Sequence, residues 1–355
     1  MQSLKSDALE PDPTEIQGKS PWQVLLRYIP VYGLLVITLV LIGLFSVLLP
    51  NTFPTLLNLR LTLSSQSVVA MLALAAMIPM VAGKIDLSVG YGVVLWEVLA
   101  ISLQTDHHLA WGLVMVIVLV LGALMGVFNA LLVELAKIDA FIATLGTGTV
   151  IYAIALAYTR GQQVIGQLPD SFLSLGNGNL LGIPISAVYV LVISLVMWVV
   201  LEFLPVGRYL YAIGANPEAA RLNGIPTRAY IVGAFVASGM LTALTGVVLA
   251  SKLRIGQIGV GLDYLLPALV AAFLGSTTIR PGRVNVWGTI IAMIILSAGI
   301  SGLQQLQTGE ASWVTPLFNG VTLLVAIGMA GLAGRRRVRI QKNSENNPPT
   351  QQAKP

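Results

Sequence analysis

Apolar residues in this chain fall in long runs broken by short polar or Gly- and Pro-bearing stretches, not at the three-to-four spacing of an amphipathic helix. A helix needs roughly 20 apolar residues to cross the hydrocarbon of a bilayer. Ten runs qualify as candidates: Tyr28–Leu49, Leu61–Ala82, Leu87–Leu103, Leu109–Leu135, Ala140–Tyr158, Ile185–Leu204, Tyr230–Ala250, Leu265–Leu274, Val286–Gly302 and Trp313–Gly331. The eighth is too short to cross alone. It starts earlier, near Val260, or forms a broken or re-entrant helix. The pattern predicts an all-α fold, a polytopic membrane bundle of about ten transmembrane segments with some helices broken or short.

Composition agrees. The chain is 56% hydrophobic and 10% charged, against about 25% charged in soluble domains, and its mean hydropathy is +0.84. The 355 residues divide into a polar cytoplasmic segment over 1–27, a transmembrane domain over 28–333, and a basic, then disordered, cytoplasmic tail over 334–355. The first segment carries Asp7, Glu10, Asp12 and Glu15, so it reads as neither a signal nor a transit peptide, and the first span is expected to be an uncleaved anchor.

Basic residues set the expected orientation. With the amino terminus inside, the outer loops hold only Arg60, Arg160, Lys252 and Arg254 of the 20 Lys and Arg. That asymmetry obeys the positive-inside rule. It places both termini in the cytoplasm, Arg335 inside and Thr308–Glu310 outside. The net charge of +5 therefore points to cytoplasmic loops rather than a nucleic-acid partner.

Enzymatic motifs fail on inspection. Gly18-Lys19-Ser20 has Pro13 where a phosphate-binding loop needs its first glycine, and no strand precedes it. Gly146-Thr147-Gly148 lies inside a span and has Ile151 where a dinucleotide loop needs a third glycine. His107 and His108 are adjacent in an outer turn with no third ligand nearby, so neither a metal site nor a cofactor is expected. The chain has no cysteine, which excludes disulfides and thiol catalysis. No catalytic residue is assigned, and any ATP hydrolysis is expected to reside in a partner.

Gly83-Lys84-Ile85-Asp86-Leu87-Ser88-Val89-Gly90 joins the second and third runs. Charge near a bilayer core is costly and is usually paired, wetted or functional. Glycines let the backbone turn there, and Asp86 is placed to cap the third span at the positive end of its dipole. Lys84 is close enough in sequence to neutralise it. Two readings follow, a polar interhelical turn or a functional junction. The octapeptide resembles the Gly-Gly-Ile-Asp-Leu-Ser-Val-Gly signature of ribose/xylose-type permease subunits of ABC importers, with Lys84 replacing the second glycine. That resemblance implies a translocation path or hinge at Gly83, Asp86, Ser88 and Gly90.

A second stretch lies between the sixth and seventh runs, in a loop over about 207–229. Asn216 can cap, Pro217 suits a first turn and Gly224 can end a short helix over Pro217–Asn223. Glu218 and Arg221 stand three apart on it. It is a solvated connector or a docking helix. The run Gly214-Ala215-Asn216-Pro217-Glu218-Ala219-Ala220-Arg221-Leu222-Asn223-Gly224-Ile225 is similar to that permease family's Gly-Gly-Asn-Glu-Glu-Ala-Ala-Arg-Leu-Ser-Gly-Ile loop, which engages the ATP-binding subunits. The resemblance implies ATPase coupling at Asn216, Glu218, Ala219, Ala220, Arg221 and Gly224.

A third similarity covers Gly126–Gly161: Asn129, then Phe141-Ile142-Ala143-Thr144-Leu145-Gly146, then Thr159 and Gly161, with Ala140 where the family has proline. Asn129, Thr144 and Thr147 either bind a hydroxylated solute or bond helix to helix. Gly122, Gly126 and Ala130 form a small-residue stripe suited to close helix contact. Glu97, the one acid well within a span, faces a wet cavity, pairs with a donor or stays protonated. Gly275–Trp287 reads as an inner turn, and Arg335–Arg339 as a lipid-facing anchor.

The resemblance implies a permease subunit in a bacterial inner membrane, translocating a monosaccharide or polyol. Its partners would be ABC ATP-binding subunits, a second permease chain, a periplasmic or lipid-anchored solute-binding protein and membrane lipid. An amino-acid ABC permease and a proton-coupled secondary transporter using Lys84, Asp86 and Glu97 are the alternatives.

Overall fold

A computed structural model describes residues 21–259, 261–280, 282–307 and 312–324. Residues 1–20 of the polar leading segment, Thr308–Glu310, Arg335–Arg339 and the tail over 334–355 lie outside the described residues.

The described residues are mostly helical. In order it forms α1 (Pro21–Leu48), α2 (Leu56–Val81), α3 (Ser88–Thr105), α4 (Trp111–Glu134), α5 (Ala140–Thr159), α6 (Asp170–Asn177), α7 (Ile185–Phe203), α8 (Pro205–Ala215), α9 (Pro217–Leu222), α10 (Thr227–Leu253), α11 (Gly261–Gly275) and α12 (Val286–Leu306), then α13 (Val314–Leu324). Two-residue strands pair antiparallel: β1 (Val164–Ile165) with β4 (Ile255–Gly256), and β2 (Asn179–Leu180) with β3 (Ile183–Pro184).

Among the described residues, seven helices are long and apolar enough to cross a membrane: α2, α3, α4, α5, α7, α10 and α12. Three more runs expected to span form shorter apolar helices, Gly33–Leu48 within α1, Asp263–Gly275 within α11, and α13. The fold is therefore an all-α polytopic bundle, with seven clear spans where the sequence suggests about ten. At about 1.5 Å per residue, the 15 residues of α11 fall short of a bilayer about 30 Å thick. Pro267 within it and Asp263 in its first turn account for the weak apolar run there.

The second half of α2, most of α3 and the inner face of α10 form the buried centre, with Met71 through Met77 essentially inaccessible. Helices α1, α4, α5 and α7 instead expose Leu, Val and Ile along one side, as acyl-chain contact requires. The small-residue stripe on α4 packs on α10. A Cβ on Gly122 would lie 2.5 Å from the Gly239 carbonyl oxygen, and one on Gly126 would lie 2.3 Å from that of Phe235. Only glycine permits backbones this close.

Candidate functional site

Backbone geometry shapes the α2–α3 junction first. Gly83 adopts φ 74°; its N–H donates to Met80 O and the Lys84 N–H to Pro79 O, both at 3.0 Å. This paired closure satisfies the last carbonyls of α2 and needs a left-handed residue, hence glycine. Irregular backbone over 84–87 then leads into α3 at Ser88.

Asp86 sits in that irregular stretch, 1% exposed. Its Oδ1 accepts from the Ser88 backbone N–H at 3.0 Å and from the Ser88 hydroxyl at 2.5 Å. Its Oδ2 accepts from the Ser238 hydroxyl of α10 at 3.1 Å. Burial raises the Asp86 pKa, while the bonds from Ser88 and Ser238 pull it back down. The carboxylate thus meets the first N–H of α3, as the sequence suggests. Lys84 does not neutralise it: no ion pair joins the two. Hydrogen bonds supply the compensation that the sequence reading gave to Lys84.

The network extends outward. Asn129 Nδ2 of α4 donates to the Ser88 hydroxyl at 2.8 Å, and the Thr147 hydroxyl of α5 donates to Asn129 Oδ1 at 2.7 Å. Thr144 Oγ1 accepts from the Leu87 N–H at 3.0 Å and donates to Ala140 O at 2.8 Å. Asp86, Ser88, Asn129, Thr144 and Thr147 therefore converge on one buried cluster binding α3, α4, α5 and α10 together. Gly90 stands at its edge for a different reason: a Cβ there would lie 2.4 Å from the Leu265 Cβ of α11.

Asp86, Ser88, Asn129 and Thr147 bond to one another while Thr144 bonds to the junction backbone at Leu87, and none of the five lines the cavity of about 740 Å³ between α1, α2, α7 and α12. That cavity is mostly apolar, with Thr62, Gln66 and Ser194 among its polar edges. Glu97 is fully buried elsewhere on α3; its Oε1 accepts from the Gln257 N–H at 3.3 Å, and its Oε2 has no partner among the described residues.

On the loop between α7 and α10, α9 covers Pro217–Leu222, one residue shorter than the sequence suggests. Asn216 Oδ1 accepts from the N–H groups of Glu218 and Ala219 at 3.1 and 3.0 Å, which caps the first turn. At the other end Gly224 takes φ 79°, and the Gly224 and Ile225 N–H groups close on Arg221 O and Ala220 O. Ala220 is buried and anchors the helix, while Ala219 points outward. Glu218 and Arg221 approach to 3.8 Å but are 79% and 70% exposed, so their attraction is largely screened.

Sequence reasoning missed the groups that join these two regions to the bundle. Ser238 is one of several hydroxyls along a long apolar helix, with Thr242, Thr245 and Ser251 beside it, and has no local signal that sets it apart. Tyr211 on α8 donates to Val284 O at 2.8 Å and carries the Arg283 guanidinium 3.4 Å above its ring. Burial pushes the Tyr211 phenol pKa up, and Arg283 opposes the shift. Arg280 pairs with Glu202 at 2.6 Å. These partners are more than seventy residues apart in sequence.

Comparison with known proteins adds what geometry does not carry. Residues 58–330 match the family described as "Branched-chain amino acid transport system / permease component". The chain is 32% identical over 303 residues to the ribose import permease protein RbsC of Haemophilus influenzae, covering 84% of this chain and 93% of the relative. It is 32% identical over 309 residues to RbsC of Bacillus subtilis, covering 86% and 92%. The autoinducer 2 import system permease protein LsrD of Enterobacter sp. (strain 638) is 32% identical over 287 residues, covering 77% and 85%. No solved structure gives a significant match.

Proposed function

The chain belongs to the branched-chain amino acid transport system / permease component family, and from that premise we propose that it is the permease subunit of a binding-protein-dependent ABC importer for a monosaccharide or related polyol. The observation that carries this reading is its extended similarity to ribose import permeases, over 84% of the chain in one case. An amino-acid substrate, which the family's description allows, is not favoured, because the relatives named above are ribose and autoinducer 2 permeases.

In this reading the protein is a multi-pass inner-membrane subunit, not an enzyme. It works with ATP-binding subunits, a second permease chain and a solute-binding protein, and both of its termini face the cytoplasm. The α9 helix docks on the ATPase: its exposed Glu218 and Arg221 present charge, its caps fix its two ends, and the buried Ala220 seats it on the bundle. The Asp86 cluster serves as a hinge beside the path rather than as a surface that touches solute. The hydrogen bonds among its members, none of which lines the cavity between α1, α2, α7 and α12, support that role.

A proton-coupled transporter would need an acid that exchanges protons with water. Asp86 is enclosed by hydroxyl and amide donors, and Glu97 is a single carboxylate, so neither favours that rival. Reconstitution with the ATPase and binding protein tests the proposal. Sugar uptake should require ATP and persist when the proton gradient is collapsed. Uptake without the ATPase, driven by an imposed pH gradient, contradicts it.

A further inference from the structure

The loop that carries α9 meets the bundle largely through α8, and two α8 residues reach two different turns. Tyr211 and Gly214 lie three apart, hence on one side of the helix. At Gly214 the α8 backbone rests on the α2–α3 turn: a Cβ there would lie 2.2 Å from Val81 O and 3.3 Å from the Gly83 nitrogen. At Tyr211 the helix reaches the turn between α11 and α12, through the hydrogen bond to Val284 O and the stack beneath Arg283. That second turn is itself braced. Asn285 Nδ2 donates to Gly275 O at 3.1 Å and to Arg283 O at 3.1 Å, and Arg280 is tied to Glu202 at the end of α7.

We propose that α8 is a crossbar that carries displacement of α9 into both cytoplasmic turns, with Gly214 and Tyr211 as its positioning residues. This rests on reading α9 as the ATPase-docking helix. The Gly214 contact is backbone against backbone, so no flexible side chain yields when α8 moves. Its motion passes to Val81–Gly83, and Asp86 follows three residues later. The Tyr211 contact is of another kind. A ring under a guanidinium, held by one hydrogen bond, tolerates rotation while keeping the two elements together. A firm contact at one turn and a swivel at the other would let a single push change the angle between α2–α3 and α11–α12.

The test uses the full chain assembled with its ATPase and binding protein in proteoliposomes. Gly214→Ala wedges a methyl into the firm contact, Tyr211→Ala removes the swivel, and Tyr211→Phe keeps the ring but loses the hydrogen bond. Thermal unfolding in detergent establishes that each variant is folded. Three further quantities are read: ATPase co-purification, ATPase stimulation by loaded binding protein, and solute moved per ATP. Gly214→Ala and Tyr211→Ala should keep the first two and lower the third about tenfold, a typical size for coupling between distant sites. Tyr211→Phe should fall between them and the unmodified chain. If Gly214→Ala does not fold, Tyr211→Ala carries the test alone. Unchanged solute per ATP in a folded Tyr211→Ala or Gly214→Ala variant overturns the crossbar. Failure of the unmodified chain to bind or stimulate an ATPase overturns the docking reading beneath it, and shows before any substitution is made.

Discussion

The α2–α3 junction and α9 end on the same backbone device, a left-handed glycine at φ 74° in one and 79° in the other, yet their surroundings differ completely. Gly83 opens into a stretch whose polar groups are claimed by α3, α4, α5 and α10. Gly224 has nothing within 4 Å of where a Cβ would stand, and the hydrogen bonds that shape α9 come from residues 216–225. The bundle imposes the shape of the junction, whereas α9 owes its shape to its own sequence. A segment built that way keeps its form while it moves as a unit. A junction built the other way registers any shift among the helices that hold it.

The largest effect should come from Asp86→Leu, which breaks the junction's side of the contrast. It strands the Ser88 and Ser238 donors in a buried site, and each such group costs about 1–3 kcal/mol. A marked fall in the unfolding temperature in detergent should accompany loss of uptake. Normal stability in this variant would mean that the cluster does not hold the helices.

Next come the two glycines. Alanine at either position is forced into the left-handed region, at a cost of about 1–2 kcal/mol. Gly83→Ala should lower the stability of the whole bundle, whereas Gly224→Ala should leave the unfolding temperature nearly unchanged and disturb only α9. Equal losses of global stability would erase the distinction between the regions.

The third effect is smaller. Asn216→Ala removes a cap worth about 1 kcal/mol to the short helix. Proteolysis of the 207–229 loop should speed up without a shift in global unfolding, and ATPase stimulation should decline. Unchanged cleavage would show that the cap does not hold α9.

The smallest change in stability belongs to Glu218→Ala and Arg221→Glu, within about 0.5 kcal/mol for an exposed pair. Their effect should appear in coupling to the ATPase alone. Normal co-purification and stimulation in the folded double variant would remove the docking role.

The same contrast explains what the sequence reveals. The α9 helix was legible almost to the residue, because Asn216, Pro217 and Gly224 act on their immediate neighbours. The long apolar spans were legible because each carries its signal within itself. Asp86, Ser88, Asn129, Thr144 and Thr147 stood out through polar chemistry in apolar runs and through family resemblance. Their joining into one cluster did not, since it depends on helix packing. Ser238 gave no sign for the same reason, and Lys84, adjacent in sequence, proved not to be the partner of Asp86. The short α11 blurred the span count because Asp263 and Pro267 interrupt its apolar character.

In the proposed function Asp86 holds a hinge and carries no transported proton. Asp86→Asn keeps an oxygen to accept from Ser88 while removing the titratable proton, so it separates the two roles. The decisive measurement is sugar uptake by this variant, assembled with its ATPase and binding protein in proteoliposomes, at constant ATP with the proton gradient collapsed. Uptake should continue at a substantial fraction of the unmodified rate. Uptake that vanishes in Asp86→Asn, and in the unmodified protein follows an imposed pH gradient, would make Asp86 a proton carrier and overturn the hinge.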